Sequence, residues 1–338
     1  MSRFFAKKGI ISQKLIDIIY ILVYNITEYM VGRDNMSVDN FKAYISQMGF
    51  DYKSDAVMQE YTTLKIGGKA DILVEPRSIE ELIALIKKAK EEDVQVTFMG
   101  NGSNLLVLDG GIRGVVIKFG VNFSKTTIEG DVITAQSGIL MSKLASVASD
   151  NSLAGFEFAS GIPGTLGGGI VMNAGAYKGE LKDVVIQVTA LLNDGTVKVF
   201  NQDELDFSYR HSVFTDSDML VLEAKIKLSK GNQEEIKARI KELSQKRRTT
   251  QPLEYPSAGS AFKRPQNGYA AAMIDETGLK GYTVGGAQVS QKHAGFVINK
   301  DNATAKDVVN LLKDVQAKVY EKFDTMLEPE IIIIGEEL

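Results

Sequence analysis

The chain has 338 residues, 44% hydrophobic and 24% charged, the make-up of a globular protein of about two domains rather than a disordered or fibrous one. Thirty-nine basic residues stand against 43 acidic ones. No basic excess is available for a polyanion, so nucleic acid is not an expected partner. Cysteine is absent and histidine occurs only as His211 and His293. Disulfides, thiolate metal sites, iron–sulfur clusters and cysteine nucleophiles drop out together, and no metal centre is expected.

In chain order, residues 1–35 carry Arg3, Lys7, Lys8 and Lys14 before a short apolar stretch at 18–23. That stretch is well short of the ~20 residues a spanning helix needs, and no small-residue cleavage site follows it. It reads as a dispensable extension with Met36 as the functional start, an amphipathic anchor being the alternative. The working protein is placed in the cytoplasm, without stable membrane insertion and without an obligate protein partner. Ser37 and Asp39 suit the cap of a helix running to Met48. A strand is expected at 70–75, stopped by Pro76, followed by a helix at 79–92 capped by Ser78. Further strands are expected at 94–99, 115–119 and 132–136, then a helix at 140–151. Beyond the glycine-dense region, strands at 184–193 and 197–200 flank an Asp194-Gly195 turn. A strand at 219–228 and a charged helix at 233–248 follow. The boundary between a first part, 36–231, and a second part, 232–338, is set near Gly231. The second part carries helices at 270–277 and 304–323 and a last strand at 331–334. Helices and short strands alternate without a βαβ period, which points to α+β.

Two glycine-rich loops dominate the first part: Gly100-Asn-Gly-Ser-Asn-Leu105 and Gly161-Ile-Pro-Gly-Thr-Leu-Gly-Gly-Gly169. Glycine lets backbone N–H groups converge on an anion, the basis of a pyrophosphate cradle. Neither loop fits GxGxxG or GxxxxGK[ST]. Singly each is a turn; together they suggest a dinucleotide or flavin. Tyr209-Arg210 sits in a loop, where a guanidinium is either solvated or a bidentate carboxylate ligand. Ser260 lies in neither a GxSxG nor an SxxK pattern, so a turn serine is the plain alternative. Glu330 precedes four isoleucines, and a carboxylate there is either solvent-facing or desolvated and tuned. His211 and His293 lack an orienting partner at fixed spacing and read as structural.

Thr62-Thr-Leu-Lys-Ile-Gly-Gly68, the two glycine loops, Asn173-Ala-Gly-Ala-Tyr177, Tyr209-Arg210, Gly259-Ser260-Ala-Phe-Lys263, His293-Ala-Gly-Phe-Val-Ile-Asn299 and Leu327-Glu-Pro-Glu330 occur in one order. From about Met36 onward the set resembles the UDP-N-acetylenolpyruvoylglucosamine reductases, flavoenzymes of bacterial peptidoglycan precursor synthesis. Tyr255-Pro-Ser-Ala-Gly-Ser260 followed by Lys263-Arg264-Pro265 resembles the shorter, second type. The resemblance implies an α+β protein with a two-lobed FAD-binding domain of the vanillyl-alcohol-oxidase (PCMH) type and a C-terminal α+β substrate-binding domain. It implies non-covalent FAD, NADPH as reductant, UDP-N-acetylglucosamine enolpyruvate as substrate and UDP-N-acetylmuramate as product. It places Gly100, Asn101, Gly102, Ser103, Asn104 and Leu105 at the cofactor, with Gly161, Ile162, Pro163, Gly164 and Thr165, and with Asn173 and Gly175. It places Tyr209, Lys263 and Arg264 near the UDP-sugar. Its catalytic positions fall on Arg210 and Glu330, which would stabilise an enolate, and on Ser260, which would give the quenching proton. Two other readings stay open here: a related flavin oxidase of a small hydroxy acid or alcohol, and a nucleotide-binding regulator without catalysis.

Overall fold

The computed structural model describes residues 35–338; the expectations for the extension lie outside the described residues. Helix α1, Asn35–Gln47, buries Phe41 and Ile45 against Leu82 and Leu85 of helix α2, Ile79–Glu91. Ser78 starts α2 as expected, its hydroxyl accepting from Glu81 N at 3.2 Å. Both helices cover a four-stranded sheet ordered Tyr52–Val57, Lys69–Val74, Ile112–Lys118 and Val96–Met99. The first pair is antiparallel and the other two pairings are parallel. Side chains alternate across it: Ile72 and Val74 face the helices, while Leu73 joins Met58, Met99 and Val116 on the far side.

The second lobe is an antiparallel sheet ordered Val197–Asn201, Val185–Leu191, Leu220–Lys227, Val132–Gln136 and Thr126–Glu129. The Asp194-Gly195 turn is present, with Gly195 at φ +84. Helices α3, Met141–Asp150, and α4, Leu166–Val171, share this lobe's core. Helix α5, Gln233–Thr250, lies on the same lobe. Its Gln233 amide donates to the carbonyls of Ser149 and Asp150, and Leu243 and Ile236 are buried. The chain thus stays on the second lobe through α5, beyond the boundary expected near Gly231.

The last part folds around a small sheet of Ser257–Ser260, Phe296–Asn299, Ala287–Val289 and Thr283–Val284. Helices α6, Ala270–Glu276, and α7, Ala305–Phe323, pack beside it. Thr304 and Asp307 form a reciprocal capping box on α7. Asp109 of the first lobe also accepts from Ala305 N and Lys306 N, tying the two parts together. The final strand, Ile332–Ile334, then returns to pair in parallel with Leu105–Val107. That return sets the C-terminal residues beside the first glycine loop. No helix among the described residues is long and apolar enough to cross a membrane.

Candidate active site

The two glycine loops pack closely against each other. A methyl group on Gly100 would sit 2.2 Å from Thr165 Oγ1, and one on Gly164 would press on Ser103 Oγ at 3.2 Å. Asn101 Nδ2 donates to the Pro163 carbonyl across the junction. Gly102 has φ +60 with Tyr61 O against it, so only glycine fits the close approach there. The amides of Asn101, Gly102, Ser103 and Asn104 donate to no protein acceptor among the described residues. Consecutive free amides in a tight turn form an anion-binding nest. These loops therefore fit the diphosphate of a dinucleotide cofactor.

A cavity of about 470 Å³ opens from this junction. Its lining includes Ser103, Asn104 and 161–163, the hairpin residues Gly175, Ala176 and Tyr177, and Arg210, Ser260 and Glu330. The three residues assigned to catalysis thus converge from distant parts of the chain. Arg210 occupies a two-residue turn closed by Ser208 and His211, whose backbones hydrogen-bond each other. Its φ of +56 is a conformation arginine rarely adopts. Strain of this kind is retained where the surroundings over-determine the conformation. Glu330 is placed by main-chain bonds on both sides: its N–H donates to Ala261 O, its carbonyl accepts from Asn104 Nδ2, and Ile332 N donates to Asn104 O. Arg210 Nε donates to Glu330 Oε1 at 2.7 Å. Burial pushes the Glu330 carboxyl above its ordinary pKa, against the opposing pull of the Arg210 charge. Ser260 ends a strand whose pairing slips between Ser257 and Ser260, at Gly259 with φ +81. Such a bulge re-aims the next side chain. The Ser260 hydroxyl has no hydrogen-bond partner among the described residues and opens on the cavity.

Tyr209, Lys263 and Arg264 are not among the residues lining the cavity. The Tyr209 hydroxyl accepts from Arg264 N at 2.9 Å, Lys263 pairs with Glu328, and the Arg264 guanidinium lies over the Tyr269 ring. Asn173 differs from its expected cofactor role: its side-chain amide is buried and fully engaged within the protein. His293 accepts from Gly295 N and stacks edge-on against Phe296, and burial lowers its pKa. The His211 ring nitrogen Nε2 lies 3.2 Å from Asp206 Oδ2. Sequence reasoning missed Arg247, which reaches the cavity from α5 and lies over Gly161. Its Nε donates to Gln251 Oε1 at 2.8 Å, and it pairs with no carboxylate among the described residues. Burial lowers its pKa, the mark of a cation short of a counter-charge. On α5 it is one of many charged residues, and only the fold distinguishes it. Among the described residues no cluster of His, Asp or Glu could hold a metal.

Residues 70–201 match the FAD binding domain family, and residues 251–334 match the family described as UDP-N-acetylenolpyruvoylglucosamine reductase, C-terminal domain. The UDP-N-acetylenolpyruvoylglucosamine reductase of Clostridium tetani is 49% identical over 305 residues, covering 89% of this chain and 99% of that protein. The chain belongs to the UDP-N-acetylenolpyruvoylglucosamine reductase family. A reductase of the same name from Caldanaerobacter subterraneus is 51% identical over 280 residues, covering 83% of this chain and 92% of the relative. The crystal structure of UDP-N-acetylenolpyruvylglucosamine reductase from Thermus caldophilus superposes with a TM-score of 0.72 at 35% identity, covering 85% of this chain and 99% of that one. The fold is thus the expected α+β arrangement of an FAD-binding domain followed by this family's C-terminal domain. The family's members are named as reductases, which favours that reading over the oxidase and the non-catalytic binder.

Proposed function

We propose that the protein reduces UDP-N-acetylglucosamine enolpyruvate to UDP-N-acetylmuramate with NADPH as reductant. The observation that carries this reading is the convergence of Arg210, Ser260 and Glu330 on one cavity that begins at the glycine-loop nest. FAD, when bound, supplies the hydride chemistry that no side chain of this protein provides. The nest at 101–104 would hold its diphosphate, and Arg247 would supply a cation to the same cavity. Arg210 faces the enolpyruvyl carboxylate and stabilises the negative charge that spreads into it as the methylene carbon is reduced. Donors fixed where charge develops lower the barrier most, because they need no reorganisation during the reaction. Glu330, ionised, holds Arg210 by the 2.7 Å bond. Ser260 gives its proton to the carbon next to the carboxylate. A carbanion is a strong base, so an unpartnered hydroxyl suffices where no histidine is at hand.

Tyr209 and Lys263, which neighbour Arg210 and Glu330, and Arg264 fit the UDP-sugar, whose diphosphate suits the two cations. Incubation of the FAD-loaded protein with NADPH and the enolpyruvyl ether tests the whole reading. NADPH loss should match a product two hydrogens heavier than the substrate. NADPH loss that ignores the enolpyruvyl ether and follows oxygen would refute it.

A further inference from the structure

The turn that carries Arg210 is gripped from beneath by groups with no place yet in the chemistry. Val171, the last residue of α4, accepts hydrogen bonds from Ser212 Oγ at 2.8 Å and Thr215 Oγ1 at 2.7 Å. Two residues further on, Asn173 Nδ2 donates to Ser208 O at 2.9 Å, the carbonyl that closes the Arg210 turn. The same amide donates to Glu180 Oε2 at 3.0 Å, and Asn173 Oδ1 accepts from Lys182 N at 3.0 Å. Both donors and the acceptor are therefore used, at a residue only 1% exposed. Aspartate has no donors and leucine no polar atoms, while glutamine carries the same amide one methylene further from the backbone. Asn173 also sits at φ +43, a region asparagine tolerates better than most residues.

Glu180 ends a hairpin of Gly175–Ala176 and Gly179–Glu180, whose two turn residues, Tyr177 and Lys178, both have positive φ. The hairpin carries Tyr177 into the cavity wall and leaves Glu180 within the field of Arg210, which helps lower the glutamate's pKa behind the contributions of Lys182 and Asn173. Lys182 Nζ lies 2.8 Å from the same carboxylate. Arg210 thus faces Glu330 directly, Glu180 through space and the Tyr209 ring, and Glu330 additionally feels Lys263. We propose that Asn173 is a positioning residue for Arg210: its amide locks the Ser208–His211 turn to Glu180, so that the strained guanidinium is held where it meets Glu330. The proposal rests on the reductase reading, in which Arg210 must stand at the reacting carboxylate. It reassigns Asn173 from cofactor contact to support of the catalytic turn.

Asn173→Gly is the sharpest variant, because glycine keeps the positive φ while removing all three side-chain bonds. In the FAD-loaded full chain, FAD affinity and flavin reduction by NADPH should stay within about twofold of wild type. Anaerobic reoxidation by UDP-N-acetylglucosamine enolpyruvate should slow by about 10- to 100-fold, the scale of a small misplacement of a catalytic group. With Arg210 loosened, the Glu330 pKa, read by NMR of 13C-labelled glutamate without substrate, should rise. Glu180→Gln keeps the acceptor for Asn173 but drops the charge, so the Glu330 pKa should fall instead and the rate should change less. An unchanged reoxidation rate and Glu330 pKa in Asn173→Gly overturn the proposal. So does an equal loss of FAD affinity, which would restore a direct cofactor role. Should Asn173→Gly fail to fold, Asn173→Asp takes its place, since it keeps the acceptor for Lys182 N but has no donor for Ser208 O, and an unchanged reoxidation rate there overturns the proposal. Wild-type protein that never reoxidises with the enolpyruvyl ether refutes the reductase reading instead, while the Glu330 pKa shifts still decide the role of Asn173.

Discussion

Replacing Ser260 by alanine should separate two halves of one reaction. The serine is half-buried at a strand end, and its hydroxyl makes no hydrogen bond to another described residue. Its loss leaves no buried group unsatisfied, so stability should stay within about 0.5 kcal/mol of wild type. The neighbouring Gly259 bulge, the Arg210–Glu330 bond and the glycine-loop junction are all independent of that oxygen. FAD binding and flavin reduction by NADPH should therefore proceed at near wild-type rates. The step that needs a proton at carbon loses its donor, a role worth about 10²- to 10⁴-fold. Anaerobic stopped-flow at the flavin absorbance band follows the two half-reactions separately. Reoxidation by the enolpyruvyl ether should fall by at least about 100-fold. A fall of less than about tenfold, or an equal fall in both half-reactions, would refute Ser260 as the proton donor.

Other perturbations give distinct readouts. Gly100→Ala drives a methyl group onto Thr165 Oγ1 and should spread the loop junction; overpacking of about 1–3 kcal/mol weakens FAD binding by roughly 5- to 150-fold in a fluorescence titration. Unchanged affinity would mean that the junction does not shape the cofactor site. Burial raises the Glu330 pKa, and its ionised form holds Arg210. Reoxidation should therefore be lost on acidification above the ordinary carboxylate value of about 4.3, and Glu330→Gln should remove that pH dependence along with most of the rate. An acid limb at or below the ordinary value contradicts this. Arg247→Met removes a partly buried cation with no carboxylate partner. The FAD-free protein should gain thermal stability while FAD affinity falls, and a loss of both would contradict the assignment.

Local chemistry made part of the fold legible. Ser78 before an apolar stripe marked α2, amphipathic spacing from Thr304 to Phe323 marked α7, and Asp194-Gly195 marked a hairpin; each signal lies within or beside what it specifies. The strand Tyr52–Val57 escaped notice because only Ala56 in it is buried, so no hydrophobic alternation shows. The tight turn at Tyr177-Lys178 lacks the Asn-Gly signature that usually marks two positive φ angles. The site was legible as a set of ordered motifs but not as geometry. Arg210 and Glu330 are 120 residues apart, and the parallel pairing of Ile332–Ile334 with Leu105–Val107 that delivers Glu330 leaves no local trace. Arg247 and the inward-turned amide of Asn173 depend wholly on what the fold places beside them.

The most direct measurement is a single turnover. The purified protein, loaded with FAD and bleached by one equivalent of NADPH without oxygen, is mixed with UDP-N-acetylglucosamine enolpyruvate. Full return of the yellow absorbance, with one equivalent of UDP-N-acetylmuramate formed, is the predicted result. Flavin that stays bleached with the enolpyruvyl ether and recolours only when air is admitted would contradict the account.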